Sequence, residues 1–349
     1  MSITFYTASL SPVPPRSRVT IRDVAAQAGV SVATVSKVLN QRYGVSADTF
    51  ARVQAVIKEL GYEASLVAQS LRNHRTNVIG ILVADIEPFS TELLKGAADA
   101  IRGTGFELVV YSAGGRVGDP QGWEHRYLTR LSGTLVDGAV LVTPAVDLEG
   151  LPGTPVVAVD PHTGRSPLPT VDSDNLHGGQ LATEHLLALG HRRIALLTGR
   201  EDLKSAQQRE TGYRRALAGA GVMVDESLIR RGDYDHDVAA ASARELLSEP
   251  NRPTAVFAAN DITAIATIES AAELGLRVPE DLSVVGFDNI PESALCTPAL
   301  TTVQQPIREM GRRAITLLVR LINGDTPDDT HITLGTELIE RHSTRALPA

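Results

Sequence analysis

Cysteine is almost absent from this chain of 349 residues: Cys296 is the single one. That excludes an internal disulfide framework and a cysteine-based zinc site, and points to a reducing compartment, the cytoplasm. No apolar run approaches the ~20 residues a membrane helix needs, so no membrane partner is expected. The opening MSITFYTASLSPVPPRSR lacks a charged leading region and a long apolar stretch, so no secretory signal is expected. With Pro12, Pro14 and Pro15 it reads as a mobile tail, assigned to 1–17. Catalytic signatures are missing as well. There is no G-x-S-x-G elbow, no G-x-x-x-x-G-K-[ST] phosphate loop and no H-E-x-x-H. GGRVG at 114–118 does not satisfy G-x-G-x-x-G, and Cys296 has Pro298 two residues on and no evident base. His177, His185 and His191 form no metal-binding pattern with nearby acids and read as solvated or core histidines. An enzyme is therefore not expected, nor any cofactor or metal. What is present is ordinary globular composition, 43% hydrophobic and 21% charged, which rules out disordered and collagen-like classes. The length suits two domains, or three with a small one.

The net charge of −8 is unevenly spread. Residues 1–75 hold nine Lys/Arg against four acids, a net +5, and the remainder carries −13. A basic head on an acidic body implies that only the head meets a polyanion.

Residues 20–40 read TIRDVAAQAGVSVATVSKVLN. Thr20 can cap a helix, with Asp23 as its capping-box partner. Val24, Ala25 and Ala28 form one small apolar face, and Gly29 stops the helix. Ser31 then caps a second helix that turns Val35, Val38 and Leu39 inward. Val45-Ser46-Ala47-Asp48 opens a third, whose apolar set is Phe50, Val53, Ile57 and Leu60, and Gly61 closes it. The spacing Ala25–Gly29–Val35 is what a helix-turn-helix requires: a small residue at the crossing, a glycine in the turn, a valine in the shared core. The second helix then lies in the major groove with its N-terminal residues on base edges. Val32 and Ala33 offer apolar contacts, Lys37 reaches guanine acceptors, and Ser31, Thr34 and Ser36 suit phosphates. Thr20 and Asn40, at the two ends of the motif, complete the candidate DNA-binding set. A plain three-helix bundle is the alternative.

From Asn77 onward short β-branched runs alternate with helical stretches. VIGILVA, FELVVYS, DGAVLV and PVVAVD are expected strands of one half, and RRIALLTG, TAVFAA and DLSVVGFD of another. Helices are expected around 90–103, 122–132, 176–189, 205–220, 237–248, 261–274 and 306–322. Such alternation implies two doubly wound α/β lobes, with ligands at the carboxyl ends of the strands and a cleft between the lobes as the default site. Asp160, Asn260, Asp261, Asp288 and Asn289 end strands, and Arg209 opens the RETGY helix. Carboxylates, an amide and a forked guanidinium suit a polyhydroxylated ligand, and Tyr234 and Phe89 are candidate stacking faces. Each has a plainer reading: Asp261 as a helix cap, Asp288 as a turn residue, Arg209 paired with Glu210 or Glu201 at the surface. Two cleft carboxylates are also, in principle, the equipment of a glycosidase.

VTIRDVAAQAGVSVATVSKVLN followed by GYEASLVAQSLR resembles the head of the lactose/galactose repressor (LacI/GalR) family of bacterial transcription regulators, and the resemblance runs over roughly 18–345. It implies an all-α helix-turn-helix head at 18–63, a hinge helix at 64–75, and a two-lobed, periplasmic-binding-protein-like body at 76–349. Lobe 1 is then about 76–174 and 303–333, lobe 2 about 175–302 and 334–349, with crossings near Asp174, Thr302 and Leu334. The hinge helices of two protomers pair in the minor groove. Leu71 wedges into the central base step, Val67 and Ala68 touch the partner helix, and Arg72 and Arg75 meet phosphates. The resemblance puts Asp160, Arg209, Asn260 and Asp288 at effector contacts, Tyr234 on the aromatic wall, Phe89 on the first-lobe loop and Gln305 at the crossover. Purine-responsive members carry a further arginine roughly where Leu203 stands here, which favours a sugar over a nucleobase. The expected molecule is a homodimeric repressor of a pseudo-palindromic operator in double-stranded DNA, controlled by a small effector, with release on effector binding favoured. A regulator answering to a nucleobase or another metabolite, and a sugar-binding protein without DNA function, are the alternatives. RHSTRALPA shows no leucine heptads, so no tetramerising coiled coil is expected.

Overall fold

A computed structural model describes residues 19–39, 43–62, 75–114, 123–132, 135–145, 153–162 and 167–347. The tail 1–17, Asn40 and the hinge residues Val67, Ala68, Leu71 and Arg72 lie outside the described residues. The chain divides into two compact units, 1–74 and 75–349.

The first unit holds α1 (Ile21–Ala28), α2 (Val32–Leu39) and α3 (Ala47–Leu60). Thr20 caps α1 with a reciprocal box: the Asp23 N–H donates to Thr20 Oγ1 at 3.4 Å, and the Thr20 N–H donates to Asp23 Oδ2 at 2.7 Å. Such a cap contributes ~1 kcal/mol. Gly29, at φ 65°, and Gly61, at φ 59°, end α1 and α3 in the left-handed region that glycine adopts most readily. Ser31 Oγ accepts from the Thr34 N–H at 3.1 Å, and Ser46 caps α3. Val24, Ala25, Ala28, Val35, Val38, Val53 and Val56 form the core, ringed by half-buried Phe50, Ile57 and Leu60. Val56 is fully part of this core, although the sequence pattern assigns the inward role to Phe50, Ile57 and Leu60 beside Val53.

The second unit is built on two six-stranded sheets. The first contains β1 (Val78–Val83), β2 (Glu107–Ser112), β3 (Gly138–Val142), β4 (Val156–Val159), β5 (Thr170–Ser173) and β11 (His331–Leu334), in the order β11-β5-β4-β3-β1-β2, all parallel. Its helices are α4 (Pro88–Ala100), α5 (Trp123–Leu131) and α11 (Ile307–Ile322). The second contains β6 (Ile194–Thr198), β7 (Ile229–Arg231), β8 (Ala255–Ala258), β9 (Ser283–Asp288), β10 (Thr301–Gln304) and β12 (Glu337–Ile339), in the order β12-β10-β9-β8-β6-β7. Here β12 alone runs antiparallel, against β10. The covering helices are α6 (Asn175–Ala188), α7 (Lys204–Gly219), α8 (His236–Leu247) and α9 (Asp261–Glu273), and short α10 (Pro291–Leu295) follows β9.

Alternation along the strands feeds both faces. In β6, Ile194 and Leu196 join Tyr213, Phe257 and Phe287 on one side, while Ala195 and Leu197 join Val256 and Leu246 on the other. A central parallel strand buried on both faces behaves this way. Connections pass between the sheets after Ser173, after Gln304 and after Leu334. The second crossing, expected near Thr302, falls three residues on: Thr302 pairs with Gly286 inside β10, and the chain leaves that sheet at Gln305. Arg75, expected at a phosphate, meets the end of a helix of the body. Its Nη2 donates to the Ile322 carbonyl at 3.0 Å, which satisfies the end of α11.

Candidate ligand cleft and nucleic-acid interface

Parallel strands deliver their carboxyl ends to one edge of each sheet, and the two edges line a common cleft of about 930 Å³. All seven residues expected at an effector line it: Phe89, Asp160, Arg209, Tyr234, Asn260, Asp288 and Gln305. Phe89 opens α4 after β1, Asp160 ends β4, Asn260 follows β8, Asp288 ends β9 and Gln305 follows β10.

Arg209 organises the floor. It sits in the second turn of α7, not at its start, and is 3% exposed rather than paired at the surface. Its Nε donates to Asn175 Oδ1 at 2.9 Å, Nη1 donates to the Ala259 carbonyl, and Nη1 lies 3.4 Å from Asp288 Oδ1. The guanidinium carbon lies 3.7 Å from the centre of the Phe287 ring and 5.5 Å from that of Tyr234. A buried cation held by a carboxylate, an amide, a carbonyl and an aromatic face is compensated on every side. Gly179 makes this placement possible, because a Cβ there would collide with the Arg209 backbone carbonyl.

Neighbouring groups extend the network. Asn175 Nδ2 donates to Asp160 Oδ1 at 3.3 Å, Gln305 Nε2 donates to Asp288 Oδ1 at 2.5 Å, and Ser173 Oγ donates to Gln305 Oε1. Nothing in the spacing of the chain marks Asn175, which meets Arg209 only because α6 and α7 pack together. Burial pushes the Asp288 carboxyl up to about 7 against the pull of Arg209 and Gln305. Burial and the charge of Asp160 push Asp172, on β5, up to about 6. Burial lowers the pKa of His162 and so disfavours its charged form.

Asp160, Tyr234 and Asp288 hold φ of 47°, 61° and 111°. Non-glycine residues held there store strain, as ligand-binding positions often do. The expectation that Asp261 caps the following helix is overturned by one residue. Asn260 is the cap, its side chain accepting from the Thr263 N–H at 2.9 Å. Asp261 is wholly buried and accepts from Thr302 Oγ1 at 2.5 Å and from the Ile290 N–H at 2.8 Å. Asn260 thus serves the helix with its oxygen while lining the cleft. Leu203, 5% exposed, supplies an apolar wall, and beside it Arg200 is paired with Asp202 at 2.6 Å. Among the described residues, Tyr234 Oη, His162 Nδ1 and Glu124 Oε2 are buried atoms of cleft-lining side chains without a hydrogen-bond partner.

In the first unit, α2 turns Val35 and Val38 inward and leaves Ser31, Val32, Ala33 and Lys37 exposed. Thr34 and Ser36 are half-buried. Ser31 Oγ and Thr34 Oγ1 lie 2.9 Å apart, and Thr20 is exposed with its hydroxyl on Asp23. Asn40, Leu71 and Arg72, the rest of the expected DNA set, lie outside the described residues.

A small helical unit with an exposed Val-Ala-Lys face and a two-lobed body with a polar cleft form a recurrent combination. Residues 20–65 match the family model for bacterial regulatory proteins of the lacI family, and 183–344 match that for a periplasmic binding protein-like domain. The ribose operon repressor of Escherichia coli (strain K12) is 37% identical over 333 residues, covering 93% of this chain and 99% of that protein. The chain belongs to the LacI family. The HTH-type transcriptional repressor PurR of Photobacterium profundum is 34% identical over 336 residues, covering 94% of this chain and 99% of that protein. Two solved structures align over most of this chain. One is a CelR–cellobiose complex, with TM-score 0.69, 35% identity and coverage of 93% and 100%. The other is the lac repressor dimer bound to operator and the anti-inducer ONPF, with TM-score 0.82, 30% identity and coverage of 95% and 100%. A LacI-family chain of this kind is a DNA-binding transcriptional regulator and not an enzyme. No helix among the described residues is long and apolar enough to cross a membrane.

Proposed function

We propose that this regulator is a sugar-responsive repressor that binds a pseudo-palindromic operator as a homodimer and is released when a sugar enters its cleft. The observation that carries the reading is the buried Arg209–Asp288–Gln305 network joined through Asn175 to Asp160. It supplies fixed acceptors and donors around a concave site, which is the chemistry of hydroxyl recognition. Leu203 in the wall, where a further cation would suit a purine, supports a sugar over a nucleobase. So do relatives named for ribose and solved with cellobiose. In the head, Val32, Ala33 and Lys37 read bases, and Ser31, Thr34, Ser36 and Thr20 meet phosphates, with Asn40 closing the motif. In the hinge, Leu71 wedges the central step and Arg72 binds phosphate.

Thermal unfolding of the full chain against monosaccharides, disaccharides, sugar phosphates and purines tests the proposal. A ligand confined to the folded state adds ~2.7 kcal/mol at a hundredfold over its dissociation constant. Stabilisation by a sugar that is lost in Arg209→Ala, together with release of operator by that sugar, is expected. Stabilisation by purines alone would replace the sugar reading with a nucleobase one.

A further inference from the structure

The network around Arg209 occupies one end of the cleft. Asp160 ends β4, beside β5, near the strand ends where the chain crosses between lobes. The lining continues past the ends of β3 and β1 to Ala113, after β2, and to Trp123 and Glu124 at the start of α5. From β4 to β2 the sheet order is β4-β3-β1-β2, so the floor of lobe 1 spans three strand spacings, ~14 Å. That exceeds the width of one pyranose ring. The cleft volume of about 930 Å³ also stands near the top of the ~300–1,000 Å³ range of small-molecule sites.

The far end is chemically equipped. Trp123 is half-buried and packs edge-on against Tyr127, with ring centres 6.0 Å apart, so its orientation is fixed by a neighbour. Glu124 is 1% exposed; its Oε1 accepts from the Ala145 N–H at 3.1 Å, and among the described residues its Oε2 is buried without a hydrogen-bond partner. His162, two residues beyond Asp160, stands between the two ends, its N–H donating to the Pro144 carbonyl at 3.0 Å, and among the described residues its Nδ1 is likewise buried without a hydrogen-bond partner. A fixed indole beside unfilled acceptors is how a protein holds a sugar ring: C–H face on the aromatic, equatorial hydroxyls on the polar rim. None of these three residues bonds to the Arg209 network among the described residues.

We infer that Trp123, Glu124 and His162 form a second subsite, so that the effector is a disaccharide with one ring at Arg209 and Asp288 and the other on Trp123. The inference rests on the sugar reading above. It sets the size of the ligand and assigns the outer ring to this edge of lobe 1.

Trp123 is the sole tryptophan, so its fluorescence reports this edge alone. The full chain is titrated with cellobiose, maltose, lactose and sucrose, and with glucose, galactose, fructose and ribose, by fluorescence and by calorimetry. A disaccharide should bind at least tenfold tighter than its component monosaccharides and shift the Trp123 emission, which the monosaccharides leave unchanged. In Trp123→Ala the calorimetric affinity for that disaccharide should drop at least tenfold while a monosaccharide binds as before; Trp123→Phe should retain most of it. Arg209→Ala should lose both. A monosaccharide binding as tightly as any disaccharide, or equal losses for both ligands in Trp123→Ala, would overturn the subsite and leave the sugar reading intact. No binding of any sugar, with Arg209→Ala indistinguishable from the parent, would overturn both.

Discussion

Asp288 gives the cleft a pH response. Its carboxyl titrates near pH 7 in the folded protein and near 4 in an unfolded chain, because burial disfavours the charged form. The folded state therefore holds its proton more tightly. The stability that this proton contributes is complete below pH ~4 and is lost as pH rises through ~7, up to ~4 kcal/mol in all. Asp288→Asn cannot titrate, so the stability difference, variant minus parent, should grow between pH 4 and 7 and level off above. Thermal unfolding across that range measures it, and a pH-independent difference would mean that Asp288 is ordinarily ionised. Asp172, raised to about 6, keeps its own dependence in both proteins and cancels in the difference. Asn175 acts through its neighbours rather than through a charge. It accepts from Arg209 Nε and donates to Asp160, so Asn175→Ala leaves a buried guanidinium N–H unpaired. A loss of ~1–3 kcal/mol without any ligand is expected, read as a lower melting temperature.

Helix pairs fix where these side chains stand. α6 and α7 cross at Gly179, where a Cβ would collide with the Arg209 carbonyl. Gly179→Ala should cost ~1–3 kcal/mol by overpacking and should weaken sugar binding, because the displaced turn is the one that carries Arg209. Unchanged sugar affinity in a destabilised variant would separate the packing role from the site. On α2 the expectation is divided by residue. Lys37→Ala should relax base preference at one operator position by ~1–3 kcal/mol, read by competition between operator variants, whereas a loss equal across all sequences would make Lys37 a phosphate contact. How legible such elements are depends on how local their causes are. Gly29, Ser31 and the Ala25–Val35 spacing act within a dozen residues, so the head can be read directly. The seven expected helices of the body fall within about three residues of expectation, since 3.6-residue periodicity survives tertiary packing, while the five-residue α10 is too short to show it. β5 (TVDS), β10 (TTVQ) and β11 (HITL) escape the pattern because they are four residues long and partly polar, their pairing decided by distant strands. The one-residue error at Asp261 has the same origin: either side chain can cap, and only the burial of Asp261 against Thr302 and Ile290 decides between them. The cleft residues are legible through the family motif, while Asn175 and Glu124, each defined by a contact across the fold, are not.

At the scale of the molecule, charge and coupling are separable. The first 75 residues carry +5 and the rest −13, so phosphate attraction belongs to the head and the acidic body opposes close approach to DNA. Operator affinity should fall steeply with salt, with a slope set by the number of phosphates met, whereas sugar affinity, governed by hydrogen bonds in a cleft, should be nearly salt-independent. In the homodimer proposed above, joining the two sites would give the effector its leverage. Two heads held together engage the second half-site at high effective concentration, so loosening their pairing costs far more than the contacts of one head. If sugar lowers operator affinity by some factor, operator must lower sugar affinity by the same factor, for coupling free energy is shared. A coupling of ~1–3 kcal/mol predicts a shift of ~5–150-fold in each direction. Calorimetric titration of sugar into the full chain, with and without saturating operator at one salt concentration, supplies one factor, and operator titration with and without saturating sugar supplies the other. Equal factors above one establish release by linkage between the cleft and the head. A sugar affinity indifferent to operator would leave a DNA-binding head and a sugar-binding body that share a chain without communicating, and the repressor reading would then lose its switch.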